Sequence, residues 1–377
     1  MATYRTGYDK MAKIDTGRRR MLKVGGAGLL GTGLAGCIGG GGGSGSGSDT
    51  TNVGMVYATG GLGDNSFNDM AHKGITQAED EFSVKSKDTE PSSPSDVSAL
   101  QKKLARSSNP DYDLVCCIGF VQATALKENA EQFGDQKFMI VDSKVEKDNV
   151  SSYTFKEHQG SFQVGNLAAQ LTAMDFQTTA SAEGTEVEAS TNSDLKVGFV
   201  GGKETPLIKK FEAGFKAGVQ YADSDVEVTS AYAGAWSDPG KGQSIANSMY
   251  ESGADIVYHA AGGTGNGVFK AAQSKGRYAI GVDSDQSKSL SKYSNVILAS
   301  MVKSVDEAVY RSVERTINDN FDGGSVHSLG LEEDGVAAVY GTKLGSDIPD
   351  SVKSKLDESR KKVVNGDITV PETPEDL

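Results

Sequence analysis

Short apolar runs alternate with amphipathic stretches along most of this chain. The runs have the length and residue types of buried strands, and the predicted strands are Val53–Ala58, Leu114–Phe120, Phe138–Val141, Ser152–Phe155, Val197–Val200, Val226–Tyr232, Ile256–Ala261, Ala279–Val282 and Val296–Met301. Helical periodicity predicts Phe67–Phe82, Val97–Arg106, Ala123–Phe133, Phe162–Met174, Pro206–Val219, Gly240–Glu251, Gly267–Ser274 and Val305–Asn320. Strands that alternate with helices indicate an α/β protein with parallel sheets covered by helices on both faces.

The chain is too long for one hydrophobic core, so we predict two doubly wound parallel-sheet lobes joined by a hinge. The N-terminal lobe is predicted to comprise residues 52–157 and 286–325, and the C-terminal lobe residues 158–285 and 326–345. Residues 346–377 are expected to form an acidic C-terminal tail. The acidic insertion Thr178–Asp194 is expected to be a solvated surface loop.

Residues 1–36 are typical of an export signal. Arg18, Arg19 and Arg20 precede a short apolar stretch, as in a twin-arginine signal peptide. The stretch ends in Leu-Ala-Gly-Cys, which is similar to a lipobox and predicts lipidation of Cys37. A Gly/Ser-rich tether, residues 37–51, follows, and it argues against a buried hydrophobic N-terminus with a chance cysteine. The sequence therefore predicts an exported protein, held to the cell membrane by a lipid anchor and facing outside the cytoplasm.

The net charge of −13 is unfavourable for nucleic-acid binding, which needs a basic surface. The same acidity would suit a high-salt environment. Cys116 and Cys117 are adjacent within a predicted strand and are expected to be small buried residues rather than a disulfide. The four histidines lack metal-ligand spacing, so neither a metal site nor a cofactor is predicted.

Ligands of doubly wound sheets bind at the carboxyl ends of the strands. Polar, glycine and aromatic residues follow the predicted strands at these ends: Asp64, Phe67, Asn68, Asp142, Gly201–Lys203, Trp236–Asp238, Gly262–Gly265, Asp283, Asp285 and Lys303. They combine carboxylates, aromatic rings and one lysine. This set predicts a binding site for a flat, polar ligand.

Each candidate also has a plainer interpretation. The glycines of "AGGTGNG" (261–267) lack the acidic ribose-binding partner of a dinucleotide site, so a tight turn is the favoured interpretation. Asp283 and Asp285 could act in acid–base chemistry, or accept hydrogen bonds from ligand hydroxyls. Phe67 and Trp236 could stack on a heterocycle or simply pack, and Lys303 could be a solvated or salt-bridged side chain.

Several segments occur in an order and spacing that resemble the basic membrane protein family, also called purine-nucleoside-receptor lipoproteins. They include "GDNSFND", "HQGSFQVGNLAAQL", "YAGAWSDPGKG", "AIGVDSDQS" and "LASMVKSVDEAV", and the resemblance extends from about Val53 to about Tyr340. It implies a type I periplasmic-binding-protein fold. It further implies a substrate-binding lipoprotein that captures nucleosides, with purine nucleosides as the expected class, and delivers them to the permease subunits of an ABC importer.

The resemblance also implies roles for individual residues. Phe67 and Trp236 would stack on the base, and Asp64, Asn68 and Asp142 would reach its polar edges. Asp283 and Lys303 would bind the ribose hydroxyls, while Gly262 and Gly263 would let the backbone approach the sugar. The family usually has Phe in place of Trp236 and often Glu in place of Gln159. The second difference leaves open how polar the region around residue 159 is.

The resemblance implies a binding protein and not an enzyme, but three rival functions stay open. A sugar-binding transport receptor could use the same fold and the same stacking rings. A surface nucleoside hydrolase could use the Asp-rich strand ends, and a receptor that signals without transport could use the same pocket.

Overall fold

Two sheets organise the part of the chain that the computed structural model describes, residues 50–377. The predicted signal peptide, Cys37 and the tether up to residue 49 lie outside the described residues. Thr51, predicted to end the tether, already belongs to the first strand.

The first sheet consists of six parallel strands. They are β1 (Thr51–Val56), β2 (Val84–Thr89), β3 (Leu114–Ile118), β4 (Phe138–Val141), β5 (Val150–Phe155) and β13 (Val326–Leu329). Their spatial order is β13-β5-β4-β3-β1-β2. Every residue of β3 and β4 is buried, as expected for continuous apolar strands covered on both faces. Cys116 and Cys117 lie in β3 as buried free thiols, as predicted.

The second sheet also has six strands. They are β8 (Lys196–Gly201), β9 (Glu227–Tyr232), β10 (Ala254–Ala260), β11 (Tyr278–Asp283), β12 (Ile297–Lys303) and β14 (Val336–Tyr340). Their order is β14-β12-β11-β10-β8-β9, and only β14 pairs antiparallel within this sheet of the described chain. The alternation of strands and helices confirms the predicted α/β fold.

Helices connect the strands in both sheets. They are α1 (Phe67–Glu81), α2 (Val97–Ala105), α3 (Ala123–Gln132), α4 (Glu157–Thr172), α5 (Pro206–Ala222), α6 (Pro239–Glu251), α7 (Asn266–Lys275), α8 (Gln286–Ser289), α9 (Val305–Ile317) and α10 (Asp350–Val364). In residues 50–377 none of the helices has the length and apolar character needed to cross a membrane.

Helices α4 and α5 pack against each other at very short range because glycines line their contact. A Cβ atom on Gly165 would lie 2.2 Å from the carbonyl oxygen of Phe215, and one on Gly218 would lie 2.0 Å from that of Phe162. Real Cβ atoms do not approach backbone so closely, so larger residues would force the helices apart. This packing fixes the start of α4, at Glu157, relative to the face of α5 that carries Phe211.

Strand pairing corrects the predicted lobe boundaries. Strand β12 lies within residues 286–325, which were assigned to the N-terminal lobe, but it pairs with β11 in the second sheet. Strand β13 lies within residues 326–345, assigned to the C-terminal lobe, but it pairs with β5 in the first sheet. The chain leaves the second sheet after Lys303, adds β13 to the first sheet, and returns after Leu329 to add β14 beside β12.

The insertion predicted to be a surface loop and the predicted C-terminal tail both contain ordered elements. The insertion forms an antiparallel hairpin of β6 (Gln177–Ala182) and β7 (Thr185–Ser190), with Val187 and Ala189 buried. The prediction of a solvated loop is therefore wrong, because alternate residues of the hairpin face the protein. The C-terminal region contains α10, whose Ser359 Oγ accepts a hydrogen bond of 3.0 Å from Asn166 Nδ2 in α4.

Candidate functional site

A cavity lies at the carboxyl ends of the strands and is lined by residues from both sheets. It encloses about 780 Å³ of empty space, counting the part that is open to solvent, which is within the range of ligand pockets. Eight of the predicted site residues line it: Asp64, Phe67, Asn68, Asp142, Trp236, Gly262, Asp283 and Lys303. Gly263 does not line the cavity; a Cβ atom there would lie 3.8 Å from the Asp64 Cα atom.

The loop before α1 is organised by Asp64. Its Oδ1 accepts hydrogen bonds from the backbone N–H groups of Ser66 (2.8 Å) and Asp69 (3.3 Å). Its Oδ2 accepts from both the backbone and the side-chain nitrogen of Asn68, each at 3.0 Å. These four bonds use the acceptor capacity of a carboxylate at a helix N-terminus. Asp64 can accept from a ligand only by sharing one of them.

Asn68 ties the same loop to the sheet. Its Oδ1 accepts a 2.9 Å hydrogen bond from the backbone of Ala58, just beyond β1. Asp64 and Asn68 together hold Phe67 at the first position of α1, with its ring facing the cavity. The polar residues of "GDNSFND" therefore explain why its one aromatic residue faces the cavity.

Phe67 and Trp236 reach the cavity from different sheets. Phe67 follows β1, and Trp236 follows β9. Trp236 lies so close to Gly202 that a Cβ atom there would come within 2.3 Å of Trp236 Cζ3. On the other side of the cavity, a Cβ atom on Gly119 would lie 3.5 Å from Phe67 Cε1. The glycines at these two strand ends make room for the rings.

Lys303 is a buried cation at the base of the cavity, with 2% of its surface exposed. Its Nζ donates to Asp142 Oδ1 (3.0 Å) and Oδ2 (2.8 Å). The ammonium also lies 4.7 Å from the centre of the Phe67 ring and 5.6 Å from that of Phe211, within cation–π range. Burial opposes the charge, but neighbouring carboxylates outweigh it and raise the pKa of Lys303 above its usual range. Lys303 is therefore charged at physiological pH.

Asp142 and Asp283 occupy equivalent positions in the two sheets. Asp142 directly follows the central strand β4, and Asp283 is the last residue of the central strand β11. Each has a left-handed backbone, with φ of 64° for Asp142 and 63° for Asp283. That conformation is uncommon outside glycine, although Asp tolerates it better than most residues. Left-handed residues often cluster at functional sites, and here both side chains line the same cavity.

Hydrogen bonds join the loops of the two lobes beside the cavity. Ser66 Oγ donates to Asp283 Oδ2 at 2.5 Å. Ser237 Oγ donates to the Gly60 carbonyl oxygen at 2.9 Å, and Gln286 Nε2 donates to the Asn65 carbonyl oxygen at 3.0 Å. The structure thus has a closed arrangement, in which the loop before α1 touches the second sheet's loops.

Burial raises the pKa of two carboxyl groups that face the cavity. The pKa of Asp64 is about 6, because desolvation outweighs the hydrogen bonds that favour its charged form. Burial also raises the pKa of Asp283, while Lys303 and Ser66 oppose the shift. Burial thus leaves both carboxylates poorly hydrated. Of the two, Asp283 has one described hydrogen bond, from Ser66, and so retains acceptor capacity for a ligand.

The sequence analysis missed several cavity residues. Leu207, Ile208 and Phe211 line one wall from α5, and Gln122 lines another while donating to the Val56 carbonyl oxygen at 2.6 Å. The signal for the α5 residues was an apolar helical face, which is indistinguishable from an ordinary core face. Among residues 50–377, no group of three His, Cys, Asp or Glu side chains is arranged to hold a metal ion.

Curated relatives align with most of the chain. A Listeria innocua protein described as a CD4+ T-cell-stimulating antigen is 37% identical over 342 residues, covering 85% of this chain and 88% of that protein. The ABC transporter nucleoside-binding protein BmpA of Lactococcus lactis is 33% identical, covering 84% and 88%. An uncharacterized lipoprotein of Pyrococcus abyssi is 31% identical, covering 88% and 82%.

A solved structure and a family model indicate the same kind of protein as these relatives. An ABC transporter solute-binding protein from Aeropyrum pernix K1 has a TM-score of 0.72 at 26% identity, covering 85% of this chain and 94% of that one. The predicted type I periplasmic-binding-protein fold is thereby confirmed. The family model described as Bmp, ABC transporter substrate-binding protein PnrA-like, matches residues 51–374. The chain therefore belongs to the Bmp family of ABC transporter substrate-binding proteins.

Proposed function

We propose that this substrate-binding protein captures nucleosides, with purine nucleosides as the preferred class. The observation that carries the proposal is one cavity that combines two aromatic rings from different lobes with a buried Lys–Asp pair and a second aspartate. A nucleoside has a matching division into a flat heterocycle and a hydroxylated sugar. The nucleoside-binding description of the Lactococcus lactis relative supports the same ligand class.

The base stacks between Phe67 and Trp236 in this proposal. Aromatic stacking contributes about 1–3 kcal/mol per base by truncation in nucleic-acid systems. Asp142 reaches the polar edge of the base, since each of its oxygens accepts only one described hydrogen bond, from Lys303. Asn68 faces the same region, and Asp64 shares one of its four bonds.

The ribose lies against Asp283 and Lys303. A carboxylate can accept from two adjacent hydroxyls, and an ammonium can donate back to their oxygens. Gly262 has a left-handed backbone with φ of 54°, and its lack of a side chain lets the sugar approach the chain. Gly263 does not line the cavity and has no direct contact in the proposal.

Binding is coupled to lobe closure. An open form takes up the nucleoside on one lobe, and the second lobe closes over it because the ligand interacts more strongly with the closed form. The hydrogen bonds of Ser66, Ser237 and Gln286 between the two lobes stabilise that form. The closed protein then docks on the membrane permease and releases its ligand; no covalent step is involved.

The protein acts outside the cytoplasm in this proposal, anchored through a lipid on Cys37. The lipobox-like sequence before Cys37 and the Gly/Ser-rich tether after it support the anchor. The name of the Pyrococcus abyssi relative, a lipoprotein, supports it as well. Export through a twin-arginine signal is part of the same proposal.

The lone tryptophan supplies the test. The chain from residue 37 onward, with Cys37→Ser to prevent lipidation, is titrated with guanosine, adenosine, inosine, uridine, cytidine and ribose while Trp236 fluorescence is followed. We expect saturable changes at micromolar or lower purine nucleoside, none with ribose, and loss of binding in Asp283→Ala. Asp285→Ala, two residues away, is the matched control and should bind normally.

Three results would overturn this assignment. Saturation by ribose with nucleosides inert would point to a sugar receptor. Release of free base during long incubation with a nucleoside, detected by chromatography, would point to a hydrolase. Folded protein that shows no heat of binding with any of these nucleosides would also contradict it.

A further inference from the structure

Glu157 is a buried carboxyl group that none of the proposed ligand contacts uses. It is the first residue of α4, and 1% of its surface is exposed. Neither of its carboxylate oxygens accepts a hydrogen bond from another residue of the described chain. A buried ionised carboxylate without hydrogen bonds is energetically unfavourable. Its position near the cavity therefore calls for an explanation other than packing.

The neighbour of Glu157 is the lysine at the base of the cavity. Glu157 Oε1 lies 3.6 Å from Lys303 Nζ, too far for a hydrogen bond but close enough for a strong charge interaction. An ammonium group has three N–H donors, and two of those of Lys303 are directed to Asp142. One donor is left, and both Glu157 and a ligand in the cavity can compete for it.

The charges around Lys303 do not balance if every carboxyl group is ionised. Asp142, Glu157 and Asp283 all act on this one ammonium, and all three would be negative in a desolvated site. Burial, opposed by Lys303 and reinforced by Asp142, raises the pKa of Glu157 to about 8. A proton on Glu157 thus reduces the excess negative charge at neutral pH.

The other ionisable groups that face Glu157 do not titrate in the same range. Burial lowers the pKa of His158, the next residue of α4, to about 4. Burial also holds the pKa of Tyr258, on β10, well above its usual range. Lys210, on α5, adds a weaker attraction for the charged form of Glu157. Of Glu157, His158 and Tyr258, Glu157 is therefore the group that changes charge around pH 8.

We propose that Glu157 is a positioning residue for Lys303. When Glu157 is protonated, one N–H group of Lys303 is left for a ligand hydroxyl. When Glu157 is ionised, it attracts that N–H group itself. The inference rests on the proposed nucleoside function. Because linkage is reciprocal, nucleoside binding then favours the protonated form of Glu157. Affinity is highest below the pKa of Glu157 and decreases as the pH rises through it.

The experiment measures adenosine affinity from about pH 6.5 to about pH 9.5 for the Cys37→Ser chain and two variants. Adenosine is the probe because its base carries no group that titrates in this range. Glu157→Gln mimics the protonated side chain, and Glu128→Gln removes an exposed carboxylate from α3 as the matched control. We expect adenosine to bind the parent and the control about tenfold more weakly at the alkaline end. Glu157→Gln should bind adenosine as the parent does at neutral pH and lose most of this pH dependence.

Calorimetry on the unsubstituted site gives an independent readout. Titrations near pH 8 in buffers of different ionisation enthalpy should show net proton uptake when adenosine binds. Affinity that is constant across the pH range, the same pH dependence in Glu157→Gln, or no proton uptake would each refute the role of Glu157 while leaving nucleoside binding intact. Absence of adenosine binding at every pH would instead count against the proposed function itself.

Discussion

At the scale of single residues, Lys303 connects most of the candidate site. It ends β12, pairs with Asp142 after β4, and lies over the Phe67 ring from α1. Its environment explains how a lysine with almost no exposed surface stays charged, since carboxylates from both sheets surround it. Replacing Lys303 would leave these carboxylates buried without a partner, which is usually strongly destabilising. Ligand contacts are therefore better tested at residues whose loss disturbs the fold less.

Gly202 offers such a test. A Cβ atom at this position would lie 2.3 Å from Trp236 Cζ3, so Gly202→Ala must displace the indole ring. We expect guanosine to bind at least about tenfold more weakly, since stacking of this kind contributes about 1–3 kcal/mol. Binding is measured by calorimetry, because the substitution also changes the tryptophan signal.

Gly134→Ala is the control for this substitution. Gly134 follows α3, its backbone is not left-handed, and a Cβ atom at this position would have no atom within 4 Å to clash with. The Gly134→Ala protein should bind guanosine like the parent. Unchanged guanosine affinity in Gly202→Ala would show that the position of Trp236 does not matter for the ligand.

Sequence reasoning located the residues at strand ends but not those on helices. Asp142, Asp283 and Lys303 follow apolar runs, so a rule about parallel sheets is enough to select them. Phe211 and Glu157 lie on helices, where their direction depends on the packing of α4 against α5. That packing is set by glycine contacts between residues distant in sequence, and no local pattern predicts it.

At the scale of elements, the pattern predicted the buried strands well and the polar ones poorly. Strand β4 was predicted with the bounds it has, because its four residues are all apolar and buried. Strand β2 has the sequence Val-Lys-Ser-Lys-Asp-Thr at the edge of its sheet, and it was missed. Edge strands are often polar, so their pairing is decided by neighbours and not by their own hydrophobicity.

The hairpin of β6 and β7 illustrates the same limit. Its inward residues alternate with acidic ones, and Glu183 and Gly184 form the turn with left-handed backbones. Tyr278 Oη donates to the Ala189 carbonyl oxygen at 2.7 Å, which joins the hairpin to β11. We infer that the hairpin stabilises the second sheet and has no contact with the ligand.

Substitutions inside the hairpin should therefore change the stability of the protein but not its affinity for the ligand. Val187→Ala removes buried methyl groups and should lower the free energy of unfolding by about 1–3 kcal/mol. Guanosine affinity should be unchanged. The exposed neighbour Glu188, replaced by Ala, should change the free energy of unfolding by less than about 0.5 kcal/mol. Urea unfolding of the three proteins gives the comparison, and a large loss of guanosine affinity in Val187→Ala would refute the separation.

At the scale of the whole molecule, the candidate site exists only where the two sheets meet. Neither sheet alone supplies both aromatic rings, and the Ser66–Asp283 hydrogen bond joins loops 217 residues apart in sequence. The sequence predicted two lobes and the residues that face each other. It did not place the lobe crossings correctly. Strand β13 pairs with β5, and β14 pairs with β12, and in each pair the chain passes through the other lobe between the two strands.

A crystal structure of the Cys37→Ser chain grown with inosine tests the central claim most directly. We predict that the base lies between Phe67 and Trp236, with the ribose hydroxyls in hydrogen-bonding contact with Asp283 and Lys303. Electron density for inosine outside this cavity, or a base that stacks on neither ring, would contradict the proposed site. A cavity that excludes inosine but holds a free sugar would contradict the proposed ligand.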